Sequence, residues 1–186
     1  MGKATMKYQK TIKLKDGRTC CLRNAAMADG EAVLAIFMLT HEQTDFLLSY
    51  PDENTMTVEA EGQYLQKKAD SKNGIEILAE VDGAAAGLAG FEPIGSKYKV
   101  CHRADFGISV DKKYWNLGIG TALLKACIQC AKEAGYEQME LNGVAGNDRA
   151  IAMYEKEGFV EFGRNPKGFR SRLSGYQEVV YMRLDL

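Results

Sequence analysis

Long apolar runs are missing from this sequence of 186 residues. The longest is AVLAIFML, from Ala32 to Leu39, whereas a helix that crosses a bilayer needs about twenty residues. A run this short suits a buried helix. The opening residues, MGKATMKYQK, lack the apolar segment of a secretory signal. A surplus of charge is missing too: 24 Lys and Arg face 25 Asp and Glu, a net charge of −1. That balance sets up no field to draw in nucleic acid or a membrane surface. Nor is there a disulfide framework, because the five cysteines are odd in number and unevenly spread. A reduced, cytoplasmic setting follows. Internal repeats, low-complexity tracts and linkers are absent, so residues 1–186 read as a single domain.

What is present is ordinary for a soluble globular chain, with 46% hydrophobic and 26% charged residues. Asp16-Gly17 divides two extended runs in TIKLKDGRTCCLRN and signals a hairpin. Asp29 stands before EAVLAIFMLT as the N-cap of a helix that ends near His41. The stretch TDFLLSYPDENTMT, broken by Pro51, reads as a loop. A second helix, Val58 to Ala69, has acids at its start and lysines at its end, as the helix dipole favours, and Asn73-Gly74 closes it. IEILAEV and AAAGLAGFEP are strand-like and meet at Asp82-Gly83, and HRADFGISV follows. Then comes a helix with Ile119, Leu123, Ala126, Cys127, Cys130 and Ala134 at helical spacing and Gly135 at its end. Cys127 and Cys130 have the spacing of a redox or metal pair, but they fall on the apolar face and read as small buried side chains. EQMELN is extended, Asn147-Asp148 starts a shorter helix stopped by Gly158, and FVEFGR and EVVYMRLDL close the chain as strands. The class is mixed α/β (α+β).

The stretch WNLGIGTALL raises the functional question. A helix N-terminus offers unpaired N–H groups and partial positive charge, and Gly118 and Gly120 let a ligand come close. A phosphate or diphosphate is the physical candidate. A nucleoside-triphosphate loop would need Gly-Lys-Ser/Thr, and Thr121-Ala122 stands there instead. A dinucleotide fold would need a third glycine where Leu123 stands. Glu140, about twenty residues on, could serve as its ribose acid, but DKKYWNL is too long for the tight first turn.

The strand ending in ISV, the aromatic loop and WNLGIGTALL together resemble the acetyl-CoA motif of the GCN5-related N-acetyltransferases (GNAT), Gln/Arg-x-x-Gly-x-Gly/Ala. Downstream, ELNGVAGNDRAIAMYEKEGF is similar to the same family's second motif, a strand, Asn, and a helix ending in Tyr-x-x-x-Gly-Phe. The resemblance covers Glu76 to Phe162 closely. It implies a central mixed, twisted sheet of about seven strands flanked by about four helices, opening where two strands diverge. It also implies an acetyl-CoA-dependent acyltransferase acting on a small-molecule or peptide amine, without a metal or an acyl-enzyme. A non-catalytic CoA-binding module is the alternative. A homodimer is compatible with it, and oligomeric state stays open.

Position by position, the resemblance assigns the backbone of Ile108 and Val110 to the pantetheine arm. The amides of Trp115, Asn116, Leu117, Gly118, Ile119, Gly120 and Thr121 would cradle the diphosphate, Asn147 would hydrogen-bond the cofactor, and Tyr154 would sit at its sulfur as general acid. Trp115 replaces the motif's Gln or Arg, so a side-chain contact to phosphate is lost. Gly143 replaces a β-branched residue and suggests a bulge or a looser strand end. Asp105 is the leading general base, acting through water, with Glu76, Glu80 and His102 as open alternatives. The tail Ser174-x-Tyr176-x-Glu178-x-x-x-Met182 is similar to a bacterial pattern that places the last strand, and Tyr176 is a lesser candidate for the substrate cleft. GRNPKGFRSR, from Gly163 to Arg172, reads as a solvated loop able to meet a phosphate or acidic substrate. Asp52, Glu53, Glu59 and Glu61 offer an acidic groove or simply helix-start acids.

Overall fold

The chain turns sharply at two Asp-Gly pairs. In the computed structural model, which describes residues 5–186, strands β1 (Gln9–Lys13) and β2 (Thr19–Asn24) join across Asp16-Gly17. Strands β3 (Ile75–Val81) and β4 (Ala84–Pro93) join across Asp82 and Gly83, with φ of 53° and 77°, the left-handed pair that matches strand twist. Helices α1 (Gly30–Gln43) and α2 (Val58–Ala69) lie between the hairpins. Then follow β5 (Arg103–Val110), α3 (Ile119–Ala134), β6 (Gln138–Val144), α4 (Asp148–Lys156), β7 (Val160–Ser171) and β8 (Gly175–Asp185).

All the strands form one mixed sheet in the order β1-β2-β3-β4-β5-β6-β8-β7. Among the described residues it has eight strands, in keeping with the expected sheet of about seven. Among the described strands only β5 and β6 pair in parallel. Helices α1 and α2 cover one face through Val33 and Leu65 on Leu78. The other face packs α3 and α4 against Ile77, Phe91 and Phe106. Burying side chains such as Phe91, Leu123 and Met182, each under 2% exposed, stabilises the fold by about 1.5–3 kcal/mol apiece. Cys127 and Cys130 belong to this core, and burial pushes the Cys130 thiol up to about 12. Among the described residues no group of His, Cys, Asp or Glu could hold a metal ion, and no helix is long and apolar enough to cross a membrane.

Three local expectations change. Asp29 precedes α1 but makes no cap bond to it. Its carboxylate instead accepts from the Ala26 N–H at 2.8 Å and from the Arg23 guanidinium at 2.7 and 2.8 Å, because a bidentate arginine is the stronger partner. Gly143 causes no bulge, since it pairs in register with Val180 of β8. The stretch from Gly163 to Arg172 is not a loop up to Ser171, because β7 runs through it, paired with β8 across register shifts at Glu161/Gly163 and Asn165/Phe169. Phe162 and residues 166–168, which include Pro166 and Gly168, stand outside the paired register there, and the bulges absorb them.

Candidate active site

The sheet opens where two parallel neighbours stop pairing. Beyond Asp105↔Glu140, β5 keeps its register with β4 to Gly87↔Val110, while β6 follows β8 to Val144↔Val179. The β6-facing edge of β5 after Asp105 therefore has no strand partner, and a cavity of about 470 Å³ occupies the split. Asp105 to Val110 form one wall, and Asn142, Gly143, Asn147, Arg149 and Tyr154 form the other. Thr40, Thr44, Phe46 to Leu48 and Phe169 close the side towards α1.

The floor at the start of α3 is built from bare amides. The first backbone bond there runs from the Ala122 N–H to the Gly118 carbonyl at 3.1 Å. The amides of Ile119, Gly120 and Thr121 thus lack a main-chain acceptor among the described residues. Asn116 and Gly118 adopt φ of 64° and 101°. These left-handed values turn the chain so that its amides converge, a geometry that binds anions. A Cβ at Gly118 would meet nothing within 4 Å, so backbone conformation rather than space requires glycine. Two contacts brace the loop. The Lys15 N–H donates to the Leu117 carbonyl at 3.2 Å, and Gln43 donates to the Asp111 carboxylate at 2.9 Å. The side chains of Leu117 and Ile119 pack into the core, which leaves only their backbone for a ligand.

Trp115 is held differently from the rest. Its indole N–H donates to the Val110 carbonyl at 2.6 Å, so that carbonyl is already engaged. The guanidinium of Arg149 lies 3.4 Å over the indole ring centroid. No sequence pattern singled out Arg149; the available signal was a cation in the first turn of a helix, where the dipole disfavours one. Asn147 caps α4 by accepting from the Ala150 N–H at 3.4 Å, which leaves its amide NH₂ without a partner among the described residues.

Tyr154 is held by rings, with Phe106 edge-on at 6.3 Å and Phe159 tilted at 5.9 Å. Its hydroxyl has no hydrogen-bond partner among the described residues, and it lines the cavity. Burial raises its pKa above the usual phenol value, so it stays protonated across the physiological range. Asp105 lies on the face towards α1 and α2, flanked across the ladder by Glu92 and Glu140. Its side chain is exposed to the open cleft, yet desolvation by the walls, and then the charges of Glu92 and Glu140, raise its pKa.

The other base candidates lie elsewhere. Glu80 pairs with Arg23 at 2.6 Å. Glu76 borders a separate cavity of about 390 Å³ with Phe37, Glu61, Tyr64 and Leu88. His102 borders neither of these cavities, and its carbonyl accepts from Glu137 and Gln138. Glu140 is committed to an ion pair with Arg103, which removes it as a ribose-binding acid. Tyr176 is 59% exposed beneath Lys167 and lies off the cavity lining.

Sequence reasoning missed the joint that holds the wall near α1. Asp45 accepts from Ser171 Oγ at 2.6 Å, Tyr50 Oη at 3.0 Å, Gln177 Nε2 at 3.1 Å and Ser174 Oγ at 3.2 Å. Arg172 adds a pair to Asp52 at 2.7 Å. The loop after α1 is thus tied to the β7–β8 hairpin. Arg164 and Arg172 of the basic stretch are taken up by carboxylates, while Phe169 of β7 reaches the cavity.

Comparison with known proteins gives the same answer from two directions. The family model of the acetyltransferase (GNAT) family matches residues 36–159. The L-amino acid N-acetyltransferase AaaT of Escherichia coli (strain K12) is 29% identical over 164 residues, which cover 87% of this chain and 94% of that protein. The structure of an acetyltransferase of GNAT family from Streptococcus pneumoniae superposes with a TM-score of 0.85 and 28% identity, over 90% of this chain and 99% of that one. The yncA structure from Salmonella typhimurium, solved with its cofactor acetyl-CoA, superposes with a TM-score of 0.78 over 90% of this chain and 94% of its own. At 19% identity it supports the fold alone.

Proposed function

This chain belongs to the acetyltransferase (GNAT) family, and from that premise we propose that it transfers the acetyl group of acetyl-CoA directly to a primary amine, an α-amino group being the favoured class. One observation carries the reading. Helix-start amides and a tyrosine hydroxyl that are free among the described residues share the cavity at the split between β5 and β6 with a carboxylate of raised pKa. The amides of residues 116–121 bind the diphosphate. The open edge of β5 from Phe106 to Val110 takes the pantetheine arm as a further strand, chiefly through Ile108, and the NH₂ of Asn147 hydrogen-bonds it.

Asp105 accepts, through water, the proton that the attacking amine gives up. An α-amino group with pKa near 8 costs about 1–1.5 kcal/mol to deprotonate at pH 7, against about 4–5 kcal/mol for an alkylamine. A carboxylate acting at one remove suffices for the first and serves the second poorly. The name of the Escherichia coli relative, an L-amino acid acetyltransferase, points to the same acceptor class. As the nitrogen–carbon bond forms and the carbon–sulfur bond breaks, negative charge gathers on sulfur beside Tyr154. A phenol held protonated by burial acts there first as a hydrogen-bond donor and then as the proton source for the departing thiolate.

The test is thiol release from acetyl-CoA against free L-amino acids, short peptides, and lysine blocked at its α-amino group. Release with the first two and not the third supports the reading, while release with blocked lysine alone overturns the α-amino assignment. Tyr154→Phe is expected to lower kcat about 10²-fold and leave acetyl-CoA affinity within about twofold. An unchanged kcat would remove Tyr154 from the chemistry.

A further inference from the structure

Trp115 removes a side-chain donor from the phosphate loop, and the structure supplies another from a different helix. Arg149, the second residue of α4, lines the same cavity as Asn116, Gly118 and Gly120. Its guanidinium carbon lies over the Trp115 indole, 3.4 Å from the ring centroid, and the ring is locked by its own bond to the Val110 carbonyl. Stacking uses the face of a guanidinium and leaves its N–H edge free for an anion.

Two features set Arg149 apart. Arg18, Arg23, Arg103, Arg164, Arg172 and Arg183 each pair with a carboxylate; Arg149 and Arg170 pair with none among the described residues, and of these two Arg149 is the one that lines the cavity. It also sits in the first turn of its helix, where the dipole repels a cation. A dianionic ligand between the starts of α3 and α4 would offset that repulsion and meet the free amides of α3.

We propose that Arg149, held on Trp115, is the side-chain ligand of the acetyl-CoA diphosphate in this chain. The inference rests on the acetyl-CoA reading above. Titration calorimetry with CoA, 3′-dephospho-CoA and pantetheine, on wild type, Arg149→Gln, Arg149→Lys and Trp115→Leu, tests it. Loss of a charge-assisted contact predicts that Arg149→Gln weakens CoA and 3′-dephospho-CoA alike, by about 10- to 100-fold. Pantetheine affinity should stay within twofold, Arg149→Lys should recover part of the loss, and Trp115→Leu should cost several-fold because the guanidinium loses its platform. Thermal melts equal to wild type would show that the variants are folded.

CoA binding by Arg149→Gln within twofold of wild type overturns the proposal. So does a loss seen with CoA but not with 3′-dephospho-CoA, which would move the contact to the 3′-phosphate. An equal loss of pantetheine also overturns it, by showing a distorted cavity. Failure of the wild-type protein itself to bind CoA would remove the acetyl-CoA reading and this inference with it.

Discussion

Replacing Glu76 with glutamine should stabilise the folded protein above pH 7 and leave it nearly unchanged near pH 4.5. Glu76 is on β3 with its side chain towards α2, beside Gly90, where any Cβ would collide with Oε2. No hydrogen-bond partner reaches its carboxylate among the described residues. Burial first, then the charges of Glu61 and Glu92, push it from an ordinary 4.5 up to about 7, against the opposing pull of Lys68. Between those two values the folded protein holds a proton that the unfolded chain has released. Stability therefore falls as pH rises from 4.5 to 7 and stays lowered above it. A carboxyl moved from 4.5 to about 7 corresponds to roughly 3.4 kcal/mol, and the partly open cavity beside it reduces this to about 2–3 kcal/mol. Glutamine mimics the protonated acid and carries no such cost.

Urea unfolding at pH 4.5 and pH 8.5 would measure the effect. The variant should gain about 2–3 kcal/mol at pH 8.5, or roughly 5–10 °C in melting temperature, and under about 0.5 kcal/mol at pH 4.5. A variant no more stable than wild type at pH 8.5, or stabilised equally at both values, refutes the reasoning. Acetyl transfer should persist, because Glu76 borders a different cavity from Asp105 and Tyr154.

Glu92→Gln should move the acidic limb of kcat/KM to lower pH, because removing a neighbouring negative charge favours ionised Asp105. A limb that stays in place removes Asp105 as the base. Gly118→Ala should cost about 1–2 kcal/mol of folding free energy through its left-handed backbone and weaken acetyl-CoA binding in the same titration. Binding and stability equal to wild type would show that the amides do not depend on this turn. Asp45→Ala should raise KM for the acceptor about tenfold with acetyl-CoA affinity unchanged, because Asp45 joins only the wall beyond the cofactor amides. Equal losses for both substrates would contradict that division.

The elements that could be read from sequence carry their own punctuation. Gly135 and Gly158 end α3 and α4 at φ of 84° and 97°, and Asp82-Gly83 marks its hairpin. The candidate cofactor residues lie in two contiguous motifs, so the sequence names them together. The wall near α1 was not legible, because it joins distant segments. Asp45 meets Ser171 and Gln177 across 126 and 132 residues, and a lone aspartate in a loop has no periodicity to betray it. The Arg149 stack was hidden for the same reason, since it needs α4 folded against the loop after β5. The long arm of β7 was masked by Gly163, Pro166 and Gly168, residues that signal a turn unless bulges accommodate them.

The order β6-β8-β7 places the later-made strand inside the earlier pair. When β7 has left the ribosome, β6 is held by three residue pairs with β5 and its other edge is bare. Only the arrival of β8, pairing Gln138↔Asp185 through Val144↔Val179, fixes the far wall of the split. A nascent or truncated chain without β8 would carry every residue of both motifs and still have no gap of defined width between them. The width of the gap is thereby set by a strand made after both of the segments that border it.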